Sequence, residues 1–370
     1  MKICIFPNDP LIRYYEKGEI KERYFNPNNL FEEVHFITFS KIEVEPHKIK
    51  KVVGNAKIFI HKFDKIKIRD RKKFLPLIVK RVKEIDPDVI RGFNPLLEGW
   101  FAANSAKKLK IPFLLSLHTQ YDENRKLLKK QNLKKFLALK YTEKFLEPFV
   151  LNAADKIIII YKIIEPYVKK HSKTEIEILY NSIDCDKFSK FKMEKSNEKP
   201  YILSVGNLTP VKNHHILINA FKNIDANLII IGQGELNDKL QKLIIRNKLE
   251  KKIKIISSIP NEDIVKYFKF AKIYSSAFNP EIESIPIPVM EALASGLPIV
   301  IPKNDEGLEN VALFSEKNAE SFEKNIKKLL NDKKLYDALS RSALEKSQQY
   351  DKKISEKKEA QIYLKLISSI

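Results

Sequence analysis

The sequence predicts an α/β protein built as two doubly wound parallel sheets in tandem, and three observations predict it. Short Ile- and Val-rich apolar runs alternate with segments of helical period, the pattern restarts once near residue 201, and 370 residues exceed one ordinary core and suit two. Strands are expected at 2–6, 33–38, 57–60, 88–91, 112–117, 156–160 and 177–179, with helices over 71–84 and 96–109 between them. The polar, Lys- and Ser-bearing stretch after Asp184 ends at Pro200 and reads as a linker. This gives an N-terminal Rossmann-like domain at 1–185, a linker at 186–200 and a C-terminal Rossmann-like domain at 201–350. In the second half, strands are expected at 201–205, 227–231, 252–256, 273–275 and 298–301, and helices over 319–330 and 333–349. Residues 351–370 carry a last helix, around 355–367, free to pack back on the first domain. No repeat of 20 to 50 residues interrupts this alternation.

Composition narrows the function classes. With 44% hydrophobic residues the chain is not a disordered one, and Cys4 and Cys185 are too few for a disulfide framework or a zinc site. They read as two reduced core thiols, which points to the cytoplasm. No apolar run approaches the roughly 20 residues of a membrane span, and the opening run is shorter than the apolar region of a signal peptide.

The net charge of +21 is uneven. Residues 1–200 hold 42 Lys and Arg against 26 Asp and Glu, while residues 201–370 hold 26 against 21, so an acidic partner is expected on the first half. A nucleic-acid partner is not expected, because no recognition motif accompanies the charge. Residues 125–140 mix seven cations with Leu and Phe at near-helical spacing. Two readings stay open for this segment: a helix lying on an anionic membrane, or a Lys-rich surface helix packing its Leu side on the core.

In doubly wound sheets ligands bind outside the carboxyl ends of the strands, so the residues just after each strand carry the chemistry. After the strand at 201–205 come Gly206, which allows close backbone approach, Asn207, and Lys212, whose ammonium can meet a diphosphate. After the strand at 227–231 come Gly232 and Gly234, and after that at 112–117 comes His118. Glu283-Ser-Ile-Pro-Ile-Pro-Val-Met-Glu291 sets two carboxylates around a helix start. Pro286 and Pro288 forbid a helix between the two acids, and proline is tolerated in a helix's first turn. Free N–H groups at that start attract phosphate, and the acids can accept hydrogen bonds from sugar hydroxyls. An ordinary loop-helix turn with solvated acids has the same spacing.

Together these segments resemble the retaining glycosyltransferases of family 4, also called glycosyl transferases group 1. The resemblance rests on Ser204-Val-Gly-Asn-Leu-Thr-Pro-Val-Lys-Asn213, Leu228-Ile-Ile-Ile-Gly-Gln-Gly-Glu235, the stretch from Glu283 to Val300, Ile111-Pro-Phe-Leu-Leu-Ser-Leu-His118, and Ala154-Asp-Lys-Ile-Ile158 leading to Tyr180-Asn-Ser-Ile-Asp184. It implies the GT-B fold, two Rossmann-like domains facing across a cleft, and transfer of a sugar from a nucleotide-diphosphate donor to a glycan, lipid-linked or small-molecule acceptor with retention of configuration. It further implies a catalytic set of Glu283, His118 and Lys212, and a donor-binding set of Gly206, Asn207, Lys212, Gly234, Ser284, Ile287 and Glu291. Gly18 falls on the acceptor side. The resemblance implies no metal at the diphosphate and no cofactor; peripheral association with an anionic membrane at its inner face rests instead on the 125–140 segment. Asp184-Cys185-Asp186 reads as a linker turn rather than a metal site.

The chain departs from the family pattern in three places. Asn207 stands where an arginine usually partners the lysine, Ser284-Ile285-Pro286 stands for Gly-Phe-Gly, and Pro7-Asn8-Asp9-Pro10 replaces a Gly-Gly turn. Glu281 lies two residues before Glu283 and competes for its role. These departures leave open a catalytically impaired relative that acts as a binding or assembly partner.

Overall fold

The computed structural model describes residues 1–16, 18, 20–189, 201–257, 259–260 and 263–368. The chain divides into two compact units, Met1–Tyr180 with Ser355–Ile370, and Asn181–Ile354. Of the linker expected at 186–200, the first residues close a short helix, Cys185–Ser189, and residues 190–200 lie outside the described residues.

The first unit holds a parallel sheet of β1 (Lys2–Phe6), β2 (Glu33–Phe39), β3 (Lys57–Phe63), β4 (Val89–Gly92), β5 (Phe113–Leu117), β6 (Lys156–Ile159) and β7 (Ile176–Ile178), in the order β3-β2-β1-β4-β5-β6-β7. The central strands β1, β4 and β5 are buried almost throughout and are mostly apolar, whereas the edge strands β3 and β7 are partly exposed. In β1, Cys4 and Phe6 join Ile78 and Val82 of the helix Arg71–Ile85 and Phe101 of the helix Leu97–Leu109 on one face. Ile3 and Ile5 join Phe25, Phe31, Ile362 and Tyr363 on the other. The period of two along the strand thus sorts adjacent residues into two cores.

The second unit holds β8 (Tyr201–Val205), β9 (Asn227–Ile231), β10 (Ile253–Ile256), β11 (Ile273–Ser275), β12 (Ile299–Pro302) and β13 (Ala312–Ser315), in the order β10-β9-β8-β11-β12-β13. All pairs are parallel. β13 is a strand that periodicity did not announce; four residues, Ala-Leu-Phe-Ser, are too few to show alternation, and pairing with β12 defines it. Each sheet reverses its direction of growth once, at β1/β4 and at β8/β11. Those are the topological switch points, where two strand-end loops part and leave a crevice.

Two expectations are corrected. The basic stretch 125–140 is not one helix: Tyr121–Gln131 ends at Asn132, whose side chain caps the next helix, Leu133–Phe145, by accepting from the Lys135 N–H at 3.0 Å. Arg125 is not a surface cation either, being 3% exposed and held by Glu147 at 2.9 Å and Asp122 at 2.6 Å. The last helix starts earlier than expected, at Lys352, and runs to Ser368. Lys352 and Lys353 pair with Asp184 at 2.7 Å and Asp186 at 2.9 Å, so that acidic pair is occupied by lysines. Further on, Glu356 holds Arg23 at 2.9 Å.

Candidate functional site

The loops leaving β8 and β11 meet at the second switch point. After β8 the chain makes a 3-10 turn, Pro210–Lys212, and Asn213 takes the left-handed conformation, φ 48°, before the helix His214–Ala220. After β11 the loop runs through Asn279. The Asn279 N–H donates to the Val211 carbonyl at 2.8 Å, and the Asn213 side-chain amide donates to the Ala277 carbonyl at 3.1 Å. These bonds bring Lys212 and Glu283, 71 residues apart, into an ion pair.

Each partner is held from behind. The methylenes of Lys212 lie across Gly206, where an added Cβ would stand 3.3 Å from Lys212 Cε, so glycine leaves room for the stem. The Glu283 N–H donates to the Asn279 carbonyl at 3.1 Å. Glu281 is exposed and lies 3.9 Å from Lys317, away from this pair. The structure therefore separates two acids that the sequence left in competition.

Glu291 sits on the helix Ile287–Ala294 and is 8% exposed. Pro286 is its N-cap and Pro288 lies in the first turn. Neither proline has an N–H, and that of Val289 donates to the Pro286 carbonyl at 2.9 Å, so Ile287 is the first-turn residue whose amide is left to offer. Ser284 is fully buried, with its Oγ unpartnered among the described residues. A buried hydroxyl without a partner costs free energy that a ligand can recover. Asn207 is exposed.

Gly234 also has a structural job in its loop. At φ 158° its Cα packs against the main chain of Leu208, where a Cβ would meet the Leu208 oxygen at 2.6 Å. The Leu208 N–H donates to the Gln233 carbonyl at 2.9 Å and the Leu236 N–H to the Leu208 carbonyl at 3.0 Å. The glycine is thus needed to brace the loop after β8 from the side.

His214 was not singled out from the sequence, although it follows Lys212 by two residues. It is 2% exposed, its ring lies against the Gly206 and Asn207 main chain, and neither ring nitrogen has a well-aligned hydrogen bond. Burial, then the Lys212 charge, lowers its pKa to about 4, so the ring is neutral under the lysine.

In the first unit, His118 leaves β5 and stacks on Phe93, with ring centroids 5.3 Å apart. The Arg91 guanidinium lies 4.3 Å from the same Phe93 ring and donates to Ser116 at 3.0 and 3.2 Å, to Tyr363 at 2.7 Å, and to Glu359. Burial, then Arg91, lowers the His118 pKa to about 3. Its Nε2 is buried with no hydrogen-bond partner among the described residues, a neutral imidazole atom available to a hydroxyl. Gly18 is an exposed turn glycine at φ 67°, donating to the Tyr15 carbonyl at 3.0 Å. Among the described residues no atom lies within 4 Å of its Cβ position, and its left-handed backbone follows the helix Leu11–Glu16.

No group of three His, Cys, Asp or Glu among the described residues is placed to hold a metal. Both cysteines are buried free thiols, and burial pushes the Cys185 thiol up to about 12.

Comparison with known proteins gives the family. The model for glycosyl transferases group 1 matches residues 186–346, and that for glycosyltransferase family 4 matches residues 32–187. A Campylobacter jejuni N-acetylgalactosamine-N,N'-diacetylbacillosaminyl-diphospho-undecaprenol 4-alpha-N-acetylgalactosaminyltransferase is 31% identical over 191 residues, 49% of this chain and 51% of the relative. The match thus spans about half of that relative's length. An Acholeplasma laidlawii alpha-monoglucosyldiacylglycerol synthase is 24% identical over 80% of this chain and 79% of the relative. The solved structure of a sucrose-phosphate synthase from Thermosynechococcus elongatus superposes with a TM-score of 0.75 over the full length of both chains at 16% identity, a likeness of fold. With two such family models laid end to end along its length and a Rossmann-like sheet in each unit, the chain belongs to the group 1 and family 4 glycosyltransferases and has their GT-B fold.

Proposed function

We propose that this chain moves a hexosyl-type sugar from a nucleotide-diphosphate donor to an acceptor hydroxyl with retention of anomeric configuration. The bond from the anomeric carbon to the diphosphate breaks, a bond to the acceptor oxygen forms, and the hydroxyl proton leaves with the nucleoside diphosphate. One observation carries the reading: the Lys212–Glu283 pair at the second switch point, with Glu291 buried on the adjacent helix. Lys212 would take up the charge that develops on the leaving diphosphate, which needs no metal ion there and no cofactor. Glu283, freed from the lysine, would lie against the donor sugar and Glu291 would accept from the ribose hydroxyls, beside Gly206, Asn207, Ser284 and the Ile287 amide. His118, neutral with Nε2 unpaired, suits a hydrogen bond to a sugar hydroxyl.

The acceptor is a glycan or lipid-linked sugar held by the first unit, and the enzyme works in the cytoplasm at the inner face of the membrane. The names of the two relatives, one containing diphospho-undecaprenol and the other diacylglycerol, support a lipid-linked acceptor.

Titration calorimetry of sugar nucleotides against the wild type and Lys212→Ala tests the donor site. The wild type binds one donor, and Lys212→Ala loses turnover by about a thousandfold and donor affinity by at least about tenfold. Unchanged affinity and turnover in that variant would remove Lys212 from the site. Asn207 favours a second reading, a binding partner without turnover, because one diphosphate cation is missing. Donor binding with no hydrolysis and no transfer to any acceptor would select it.

A further inference from the structure

The helix Leu133–Phe145 is apolar on both sides. On one side Phe136 and Leu139 are half-buried and Thr142 is buried. On the opposite side Leu133 (62% exposed), Leu137 (58%), Tyr141 (39%) and Phe145 (52%) follow one another at every fourth position, in one row along the solvent face. These are four of the thirteen large apolar side chains exposed among the described residues, and the others do not form such a row. Scattered exposed leucines need no explanation, whereas a contiguous row does.

Charge says what covers it. From residue 124 to residue 142 the sequence has no Asp or Glu, and it places Lys126, Lys129, Lys130, Lys134, Lys135 and Lys140 there, with Lys144 just beyond. Lys129, Lys130, Lys134 and Lys135 are exposed, with no carboxylate partner among the described residues. On the helix itself Lys134, Lys140 and Lys144 interleave with the apolar row, and Lys144 Nζ lies 5.3 Å from the Phe145 ring. The row is also stiffened from within, since the Arg71 guanidinium packs between Trp100 at 5.4 Å and Tyr141 at 5.7 Å. A second copy of the same face would set lysine against lysine. An anionic surface with an apolar interior answers both features at once, the lysines to headgroup phosphates and the row to the acyl boundary.

We infer that the outward face of the helix Leu133–Phe145 is a docking surface for an anionic phospholipid bilayer, inserting Leu133, Leu137, Tyr141 and Phe145 between lysines that bind the headgroups. This rests on the membrane-side acceptor proposed above and names the element responsible. No helix among the described residues is long and apolar enough to cross a membrane, so the contact is peripheral.

Co-sedimentation with phosphatidylglycerol–phosphatidylcholine vesicles and with pure phosphatidylcholine vesicles tests it, using the full chain. The wild type is expected to partition to the anionic vesicles only, less at 0.5 M salt, and the double variant Leu133→Glu, Leu137→Glu to partition at least about tenfold less. A milder pair, Leu133→Ser with Leu137→Ser, should fall between. Both positions are exposed, so melting temperature and donor affinity should match the wild type. Equal sedimentation of wild type and double variant would overturn the inference, as would equal binding to both vesicle types. A dimer in light scattering that the substitutions dissolve would assign the face to a second copy instead. Donor affinity, read in the same samples, tests the transferase reading separately, because a wild type that binds vesicles but no sugar nucleotide fails only there.

Discussion

The two switch points share one topology and differ in chemistry. At β8/β11 the strand-end loops are cross-bonded through Asn213 and Asn279, and they set a lysine against a glutamate, partly open to solvent. At β1/β4 the neighbouring cation, Arg91, is 5% exposed and is spent inward on Ser116, Tyr363 and Glu359, leaving Phe93 and a neutral His118 at the edge. The cation on the strand of this switch point is thus paired within its own unit. A doubly wound sheet fixes where ligands go, and only the strand-end side chains decide what they are.

That contrast can be broken at several points. The largest effect should come from Glu359→Ala, which strands a buried guanidinium: about 3 to 5 kcal/mol of stability should be lost, read by denaturant unfolding. Lys212→Ala should by comparison cost turnover and little stability, since its partner Glu283 is exposed enough to hydrate. If both variants unfold alike, the two sites are not the opposites described. Gly234→Ala should cost about 1 to 3 kcal/mol by pushing a methyl into the Leu208 backbone, and donor affinity should weaken with it.

Smaller is the pH effect. His118 and His214 have folded pKa values of about 3 and about 4, below the unfolded value near 6.5, so the unfolded chain binds more protons between those limits. Their contribution to stability is present above about pH 6.5 and lost as pH falls toward 4. His214→Gln should flatten the melting temperature against pH in that window, and an unchanged slope would show that the imidazole protonates freely in the fold. Last, Glu281→Gln should leave turnover within about twofold while Glu283→Gln loses about a hundredfold; equal losses would return the two acids to competition.

Much of this was legible in the residues. Strands such as Tyr201–Val205 and Asn227–Ile231 lie where apolar runs put them, because strands inside a covered sheet are built mostly of apolar side chains. The motif residues of the second unit fall after strands, and Lys212 with Glu283 meet as neighbours. Other features were not local enough to read. The break at Asn132 depends on one side-chain cap, which split a stretch whose composition looks continuous. Arg125 counted as part of a basic surface until Glu147, 22 residues on, took it into the core.

The sequence by itself determined the alternation of strands and helices, the restart that makes two sheets, and the identity of the groups at each strand end, because these follow from side-chain period and residue chemistry. Tertiary structure alone decided which of Glu281 and Glu283 meets Lys212, that Gly234 braces Leu208, that Arg91 is neutralised by Glu359 from 268 residues away, and that His118 stays uncharged. Partner choice and burial depend on distances in space, and a linear pattern carries no distance between residues its own elements do not connect.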